Sequence, residues 1–282
     1  MSKQGQESMP RKTHESGLSQ EHIGYLRRVR MEKVYIRILQ LMILVIALGL
    51  WELCANARIV DPFITSQPSR IIKTIIRLYE EGVLFKHIGV TCLEAVVGFV
   101  LGTLFGTVIA IILWWSEFLC KVIEPYLVVL NSLPKIALGP VFIVWIGAGP
   151  AAIIVMTLAI SLIVTVLEVL SGFLTVDEDK IKLVQTFGGT KLQVLTKVVL
   201  PASSPTIINA LKINVGLSWV GVIVGEFLVS KAGLGYLIVY GGQVFKLDLV
   251  MTSVVILGVA ATVMYQGVVY LEKLLVKNKL YL

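Results

Sequence analysis

The sequence predicts an all-α polytopic membrane protein of about six transmembrane helices, and three observations carry that prediction. Charged residues make up 15% of the 282 positions, against about 25% in an ordinary soluble domain. The apolar residues lie in long blocks: Ala95–Ser116 is 22 residues without a charge, Leu249–Leu271 is 23, and Ile136–Leu167 is 32, broken by Gly147-Ala148-Gly149-Pro150. Mean hydropathy is +0.86, and the blocks lack the polar face that a helix of a large soluble all-α protein needs. About 20 apolar residues cross the hydrocarbon core as a helix. Without water to satisfy open backbone groups, such segments are helical.

Taken in order, the spans fall near 36–55, 91–114, 125–146, 151–170, 207–229 and 249–271. The first is charge-free only over Ile38–Trp51, with Arg37 and Glu52 left to snorkel to the interfaces. A five-span arrangement with 36–55 peripheral therefore stays open. Residues 1–35 read as a flexible polar tail without a cleavable leader, 36–271 as the membrane domain, and 272–282 as a second tail. With the N-terminus inside, 15 Lys/Arg fall in cytoplasmic segments and seven in external ones. That excess places both termini in the cytoplasm. The net charge of +7 is thus mainly a topology signal, and no aromatic-interleaved basic surface points to nucleic acid.

Three connecting segments carry information. Externally, Ser69–Glu81 places Ile71, Ile72, Ile75, Ile76 and Tyr79 opposite Arg70, Lys73, Arg77 and Glu80, an amphipathic helix with Ser69 as its cap. On the cytoplasmic side, 172–206 reads as helix–Gly–helix. Asp177-Glu178-Asp179 opens a helix through Phe187, and Gly188-Gly189 stops it. Thr190 caps a second helix through Val199, and Leu200-Pro201 ends that one. Its Ile181, Leu183, Val184, Phe187, Leu192, Val194 and Leu195 need a surface to bury against, either the bundle or a partner. A third segment, 230–247, holds Gly233-Leu234-Gly235-Tyr236, which permits a tight turn.

Within the spans, Gly98, Gly102 and Gly106 form two overlapping G-x-x-x-G steps, a face that another helix approaches closely. Pro134 and Pro140 predict a kinked or broken third span. Broken helices at membrane depth line protein or a water-filled cavity. Asn209, Asn214, Ser218 and three glycines make the fifth span small and polar. Asn131, Pro134 and Lys135 around the break, with Asn214, Ser218 and Glu226 on the fifth span, are accordingly the candidate pathway residues. Ionisable groups in a membrane are costly and default to a functional hypothesis. For Lys135 and Glu226 the competing explanation is an interfacial position or mutual pairing, and the sequence shows no other partner for Glu226.

No G-x-x-x-x-G-K-[ST] loop occurs, since Gly188-Gly189-Thr190-Lys191 has the wrong order. H-E-x-x-H and G-x-S-x-G are also absent, and His14, His22 and His87 all fall outside the predicted spans. No catalytic set is apparent, and the three cysteines follow no metal spacing. Cys54 and Cys92 both fall near the outer face, where they are either packing residues or a disulfide.

At 172–206 the sequence resembles the permease subunits of bacterial ABC importers, whose signature is E-A-A, three residues, G, nine residues, I-x-L-P. Gly188 takes the glycine position and Val198-Val199-Leu200-Pro201 the end, while Lys182-Leu183-Val184 stand in place of E-A-A. The wider pattern is similar to the nitrate/sulfonate/taurine branch. Its ordered runs are Gly98-Phe99 with Gly102 and Gly106, Leu133-Pro134-Lys135-Ile136-Ala137 through Pro140, and Trp145-Ile146-Gly147. Leu200-Pro201-Ala202 with Pro205, Ser218-Trp219, Gly225-Glu226 and Gly233-Leu234-Gly235 follow.

The resemblance implies the type I importer permease fold in a bacterial inner membrane and a homodimer forming the pathway. It also implies a cytosolic ABC ATPase that binds the ATP and Mg, so that this chain holds no cofactor, and an external solute-binding protein. Lys182, Gly188, Gly189, Lys191, Leu200 and Pro201 become the ATPase-coupling residues. The implied solute is a small anion such as a sulfonate, taurine or nitrate, or a vitamin-precursor heterocycle. The alternative is an ion-coupled secondary transporter, which calls for internal repeats and paired intramembrane carboxylates; the sequence shows neither.

Overall fold

The computed structural model describes residues 20–277, with side chains from 28 to 274. It comprises two units, residues 1–60 and 61–282. The first contains one helix, α1 (Gln20–Asn56), of 37 residues. The expected tail is therefore helical from Gln20 onward instead of ending at 35. Leu, Arg, Met, Glu and Lys dominate residues 26–33, and these straight-chain residues extend a helix already nucleated by the span. The tail expected over 1–19 and the last residues, 278–282, lie outside the described residues.

The second unit begins with a short turn of helix, α2 (Pro62–Thr65), whose cap Asp61 accepts from the Phe63 N–H at 2.9 Å. The amphipathic helix follows as α3 (Pro68–Glu80). Its cap position is Gln67, not Ser69, because Pro68 supplies a first helical residue that needs no N–H partner. Ile71, Thr74 and Leu78 are buried, while Ile72, Ile76 and Tyr79 remain exposed.

Helix α4 (Leu84–Trp115) starts seven residues before the expected 91. That extension carries His87 into a span, against the expectation for it, together with Thr91 and Glu94, and buries all three. The expected third span is two helices, α5 (Glu117–Ser132) and α6 (Gly139–Ile146), joined through a 3-10 turn at Lys135–Leu138 and bent by 86°. The cause is Pro134: the residue before a proline avoids the α region, and Leu133 is extended at ψ 140°.

Helix α7 (Pro150–Leu174) leads to α8 (Glu178–Thr186), α9 (Lys191–Val194), a π turn at Leu195–Val199 and α10 (Leu200–Ala202). Then come α11 (Ser204–Val229), α12 (Leu234–Gln243) and α13 (Leu247–Lys277), which continues past the expected end at 271. Among the described residues, five helices are long and apolar enough to span a membrane, or six where the bent pair counts as one span.

The centre of the second unit is α4, α7 and α11. Gly98, Gly102 and Gly106 of α4 face Thr157, Ser161 and Thr165 of α7, every fourth residue against a short side chain: the Thr157 and Thr165 methyls and the Ser161 hydroxyl. Gly221 and Gly225 of α11 meet the α7 backbone at Thr157 and Ile153. Two apolar clusters continue from this contact. One gathers Leu113, Phe173, Val194, Leu195 and Val199 at the α8–α10 end; the other gathers Leu78, Ile153, Trp219, Leu234 and Leu249. Lys212, at the edge of the bundle, pairs with Glu272 of α13 at 2.8 Å. Cys54, Cys92 and Cys120 are all free thiols.

The interface gives a paired test. A Cβ at Gly221 would stand 2.6 Å from the Thr157 Cα, whereas one at Gly216 meets nothing within 4 Å. Gly221→Ala is expected to lower stability by about 1–3 kcal/mol through overpacking. Gly216→Ala is expected to stay within about 0.5 kcal/mol of the parent. Thermal unfolding in detergent, with both variants measured together, checks the contrast.

Candidate functional site

The α8–α10 segment is built by local rules. Asp177 caps α8, its carboxylate accepting from the Asp179 N–H at 2.9 Å, and Lys182 pairs with Glu178 one turn away at 3.0 Å. Gly188 turns the chain at φ +78°, where a side chain is strained. The Gly189 N–H then returns to the Val184 carbonyl at 2.9 Å. Thr190 and Gln193 form a complete capping box on α9.

Beyond it the helix does not stop at Leu200-Pro201 as expected. The π turn lets the Leu200 N–H reach the Leu195 carbonyl, five residues back, and the helix runs on through Pro201 to Ala202. A widened turn accommodates a proline that a regular α turn does not.

The apolar residues of this segment divide. Val194, Leu195 and Val199 are buried in the bundle, and Ile181 and Val184 pack partly against it. Leu183, Phe187 and Leu192 point away, 58%, 84% and 58% exposed. Of the six predicted coupling residues, Lys182 and Gly188 stand at this exposed turn, and Gly189 packs on Val184. Leu200 and Pro201 lie at the exit of the π turn. Lys191 turns back to the bundle: its Nζ donates to the Trp115 carbonyl at 2.5 Å, and lies 5.9 and 5.5 Å from the ring centroids of Trp114 and Trp115. A cation over an exposed ring contributes about 0.5–1 kcal/mol. The carbonyl belongs to a helix end with no internal partner.

The six pathway candidates are not brought together. Asn131, Pro134 and Lys135 stand at the α5–α6 break on the surface of the chain, where the Lys135 Nζ donates to the Asn131 carbonyl and side chain at 3.1 and 3.3 Å. Asn214, Ser218 and Glu226 are buried, at 1%, 0% and 1% exposure. The Asn214 Nδ2 donates to the Thr103 hydroxyl at 2.6 Å. Asn214 and Ser218 are thus packing residues of the α4–α7–α11 centre and face no open passage in this chain. Small polar residues on α11 turn inward because they let the helices approach closely.

Glu226 has the partners that the sequence did not show. Its carboxylate accepts from the Thr91 hydroxyl at 2.6 Å and from the Gly235 and Tyr236 N–H groups at 2.5 and 3.3 Å, with the Glu94 carboxyl hydrogen-bonded beside it. The Leu234 N–H donates to the Thr91 hydroxyl at 2.7 Å and the Gly233 N–H to the His87 Nδ1 at 3.0 Å. A carboxylate from α11 therefore caps the N-terminus of α12, where helix N–H groups lack internal partners. Glycine is required at 233, because φ is +112° and a Cβ there would overlap the Glu226 carboxylate. His87, Thr91 and Glu94 stand at i, i+4 and i+7, the spacing of one helix face. That spacing is the signal the sequence carries, and a span that begins at 91 leaves His87 off the face.

The family pattern of binding-protein-dependent transport system inner membrane components matches residues 102–278. The chain belongs to that family, the membrane permeases of binding-protein-dependent ABC importers. It is 31% identical over 223 residues to a probable ABC transporter permease of Haemophilus influenzae, covering 79% of this chain and 90% of that protein. A putative aliphatic sulfonates transport permease of Bacillus subtilis, SsuC, is 26% identical over 82% of this chain and 84% of its own length. Among solved structures, an inward-facing MetNI methionine ABC transporter superposes with a TM-score of 0.53 at 20% identity, over 67% of this chain and 97% of that one, a likeness of fold.

Replacing Glu226 by Gln puts an NH2 group or a weaker acceptor against two backbone donors. Hydrogen bonds to charged groups contribute about 1.5–3 kcal/mol, so Glu226→Gln is expected to lower stability by about 2–3 kcal/mol. Thermal unfolding of the detergent-purified protein measures the loss.

Proposed function

We propose that this chain forms the membrane pathway of an ATP-driven importer, with residues 172–206 as the element that docks on a cytosolic ATPase. The observation that carries this is the exposed apolar tip of Leu183, Phe187 and Leu192 around the Gly188 turn. It stands on a root, Val194, Leu195 and Val199, that is buried in the bundle. A protrusion ending in a largely exposed Phe is a surface built for a partner. ATP and Mg belong on that partner, and this chain holds no cofactor of its own. Both termini then face the cytoplasm of a bacterium, an orientation that the Lys/Arg distribution supports.

Two copies of the chain enclose the pathway, with the α5–α6 break and its Asn131, Pro134 and Lys135 turned toward it. The Lys135 ammonium suits a small anion delivered by an external binding protein. Similarity to a permease named for aliphatic sulfonates supports the same solute class. Closure of the ATPase dimer on ATP shifts the docked segment, and the bundle exchanges inward-facing for outward-facing states, a two-state equilibrium biased from a distance. An ion-coupled carrier would leave the exposed tip without a role.

The test is purification of the tagged chain from its native membrane. An ATPase subunit is expected at one to one. Phe187→Ala is expected to weaken its retention about tenfold, the effect of removing an aromatic anchor from an interface centre. Gly188→Val, which places a β-branched residue at φ +78°, is expected to cut ATP-dependent uptake at least tenfold while the chain still inserts. Unchanged uptake in Gly188→Val, or an ATPase-free oligomer from wild type that moves solute, would overturn the proposal.

A further inference from the structure

We propose that Lys191 is a positioning residue of the transport cycle. It fastens the docking turn to the end of α4, and α4 transmits the displacement of that turn to the Gly233–Tyr236 loop at its other end. The inference rests on the docking role proposed above for the α8–α9 segment.

Lys191 opens α9, three residues after the Gly188 turn. Its ammonium does not face outward toward a partner but donates to the Trp115 carbonyl at 2.5 Å and stands over the two indole rings. This side-chain hydrogen bond ties residues 178–199 to a span. The acceptor is well chosen. Trp115 is the last residue of α4, so its carbonyl has no helical N–H to accept from and lies at the negative end of the helix dipole. Ser116, the next residue, both ends α4 and caps α5 through its hydroxyl. A displacement of Lys191 therefore acts directly on the corner between two spans. A compact ammonium suits one carbonyl, where a guanidinium fork suits two acceptors.

The other end of the same helix carries the second fastening. His87 and Thr91 of α4 accept the Gly233 and Leu234 N–H groups, and the Thr91 hydroxyl donates to Glu226. Between the two fastenings, from His87 to Trp115, α4 runs without a break, about 42 Å at 1.5 Å per residue. Its glycines interdigitate with Thr157, Ser161 and Thr165 of α7, so α4 and α7 move as one body. An α-helix fixed at both ends by hydrogen bonds to two different loops cannot shift at one end alone. The backbone N–H groups of residues 233–236 are consequently reporters of what happens at Lys191.

The experiment uses the complete permease–ATPase complex and follows amide hydrogen exchange at residues 233–236 with and without ATP plus vanadate, so no solute need be known. In the wild type, trapped nucleotide is expected to change exchange at these amides. Lys191→Met keeps the length and the contact with the indoles but removes the charge and the donors. It is expected to retain the ATPase at the same ratio and hydrolyse ATP within about twofold of wild type. The nucleotide-dependent change at 233–236 is expected to fall at least fivefold, a size chosen to exceed that twofold band. Lys191→Arg, which restores a donor, is expected to recover part of the change.

A purely structural role predicts no such split between hydrolysis and exchange, and no rescue by Arg. The proposal is overturned if Lys191→Met responds to nucleotide as wild type does, or if wild type shows no response at these amides. It is also overturned if Lys191→Met releases the ATPase, which would make Lys191 a docking contact. Failure of the wild-type chain to retain any ATPase is a different result and removes the docking role itself.

Discussion

The close contact of α4 with α7 is the constraint on which the rest of the chain depends. In lipid, apolar side chains gain nothing by leaving one hydrocarbon for another, so helices associate through packing and hydrogen bonds. Gly98, Gly102 and Gly106 remove the side chains that would separate the two helices, and the Thr157 and Thr165 methyls and the Ser161 hydroxyl fill the space. The Thr157 and Thr165 hydroxyls are satisfied by their own helix, donating to the Ile153 and Ser161 carbonyls at 2.9 Å. The interface therefore needs no charge. Helix α11 joins it by the same means, with Gly221 and Gly225 against the α7 backbone, and this close approach is why Asn214 and Ser218 are enclosed.

Lys191, Lys135 and Glu226 follow a second rule, the polarity of helix ends. Lys191 donates to the last carbonyl of α4, and Lys135 to the Asn131 carbonyl near the end of α5; both are cations at C-termini. Glu226 accepts from the first N–H groups of α12, an anion at an N-terminus. Each charge has the sign that the helix dipole favours, and each joins elements that the Gly–Thr contact does not reach. A single physical device thus closes the chain at both ends of its central bundle.

How much of this was legible in the sequence depended on the range of the interaction. Short-range rules worked: the Gly188 turn, the Thr190 cap, the break at Pro134 and the glycine face of α4 were all visible in the residues themselves. Boundaries are less legible, because polar residues such as His87 and Thr91 lie inside a span. Starting α4 at 91 put His87 outside it, and with that error the His87–Thr91–Glu94 face disappeared. Pairing across the chain was not legible, because Thr91 and Glu226 are 135 residues apart and nothing local announces their contact. Asn214 and Ser218 show the same limit: small polar residues on a span look alike whether they line water or pack against a glycine face. Only the facing helix distinguishes them.

The break between α5 and α6 leaves irregular backbone open on the surface of the chain. Proline has no N–H, the extended Leu133 interrupts the ladder of carbonyls behind it, and the 3-10 turn beyond satisfies only part of the backbone. Lys135 covers the Asn131 carbonyl, yet Asn131, Pro134 and Ile136 remain exposed. Irregular backbone with free polar groups is not tolerated against lipid and persists at membrane depth only beside protein or water. The exposed face of the break therefore cannot be a lipid face. It is bounded by another protein surface, by a water-filled passage, or by both. In the assembly proposed above, the second copy of the chain and the pathway between the two copies supply that boundary on the α5–α6 side.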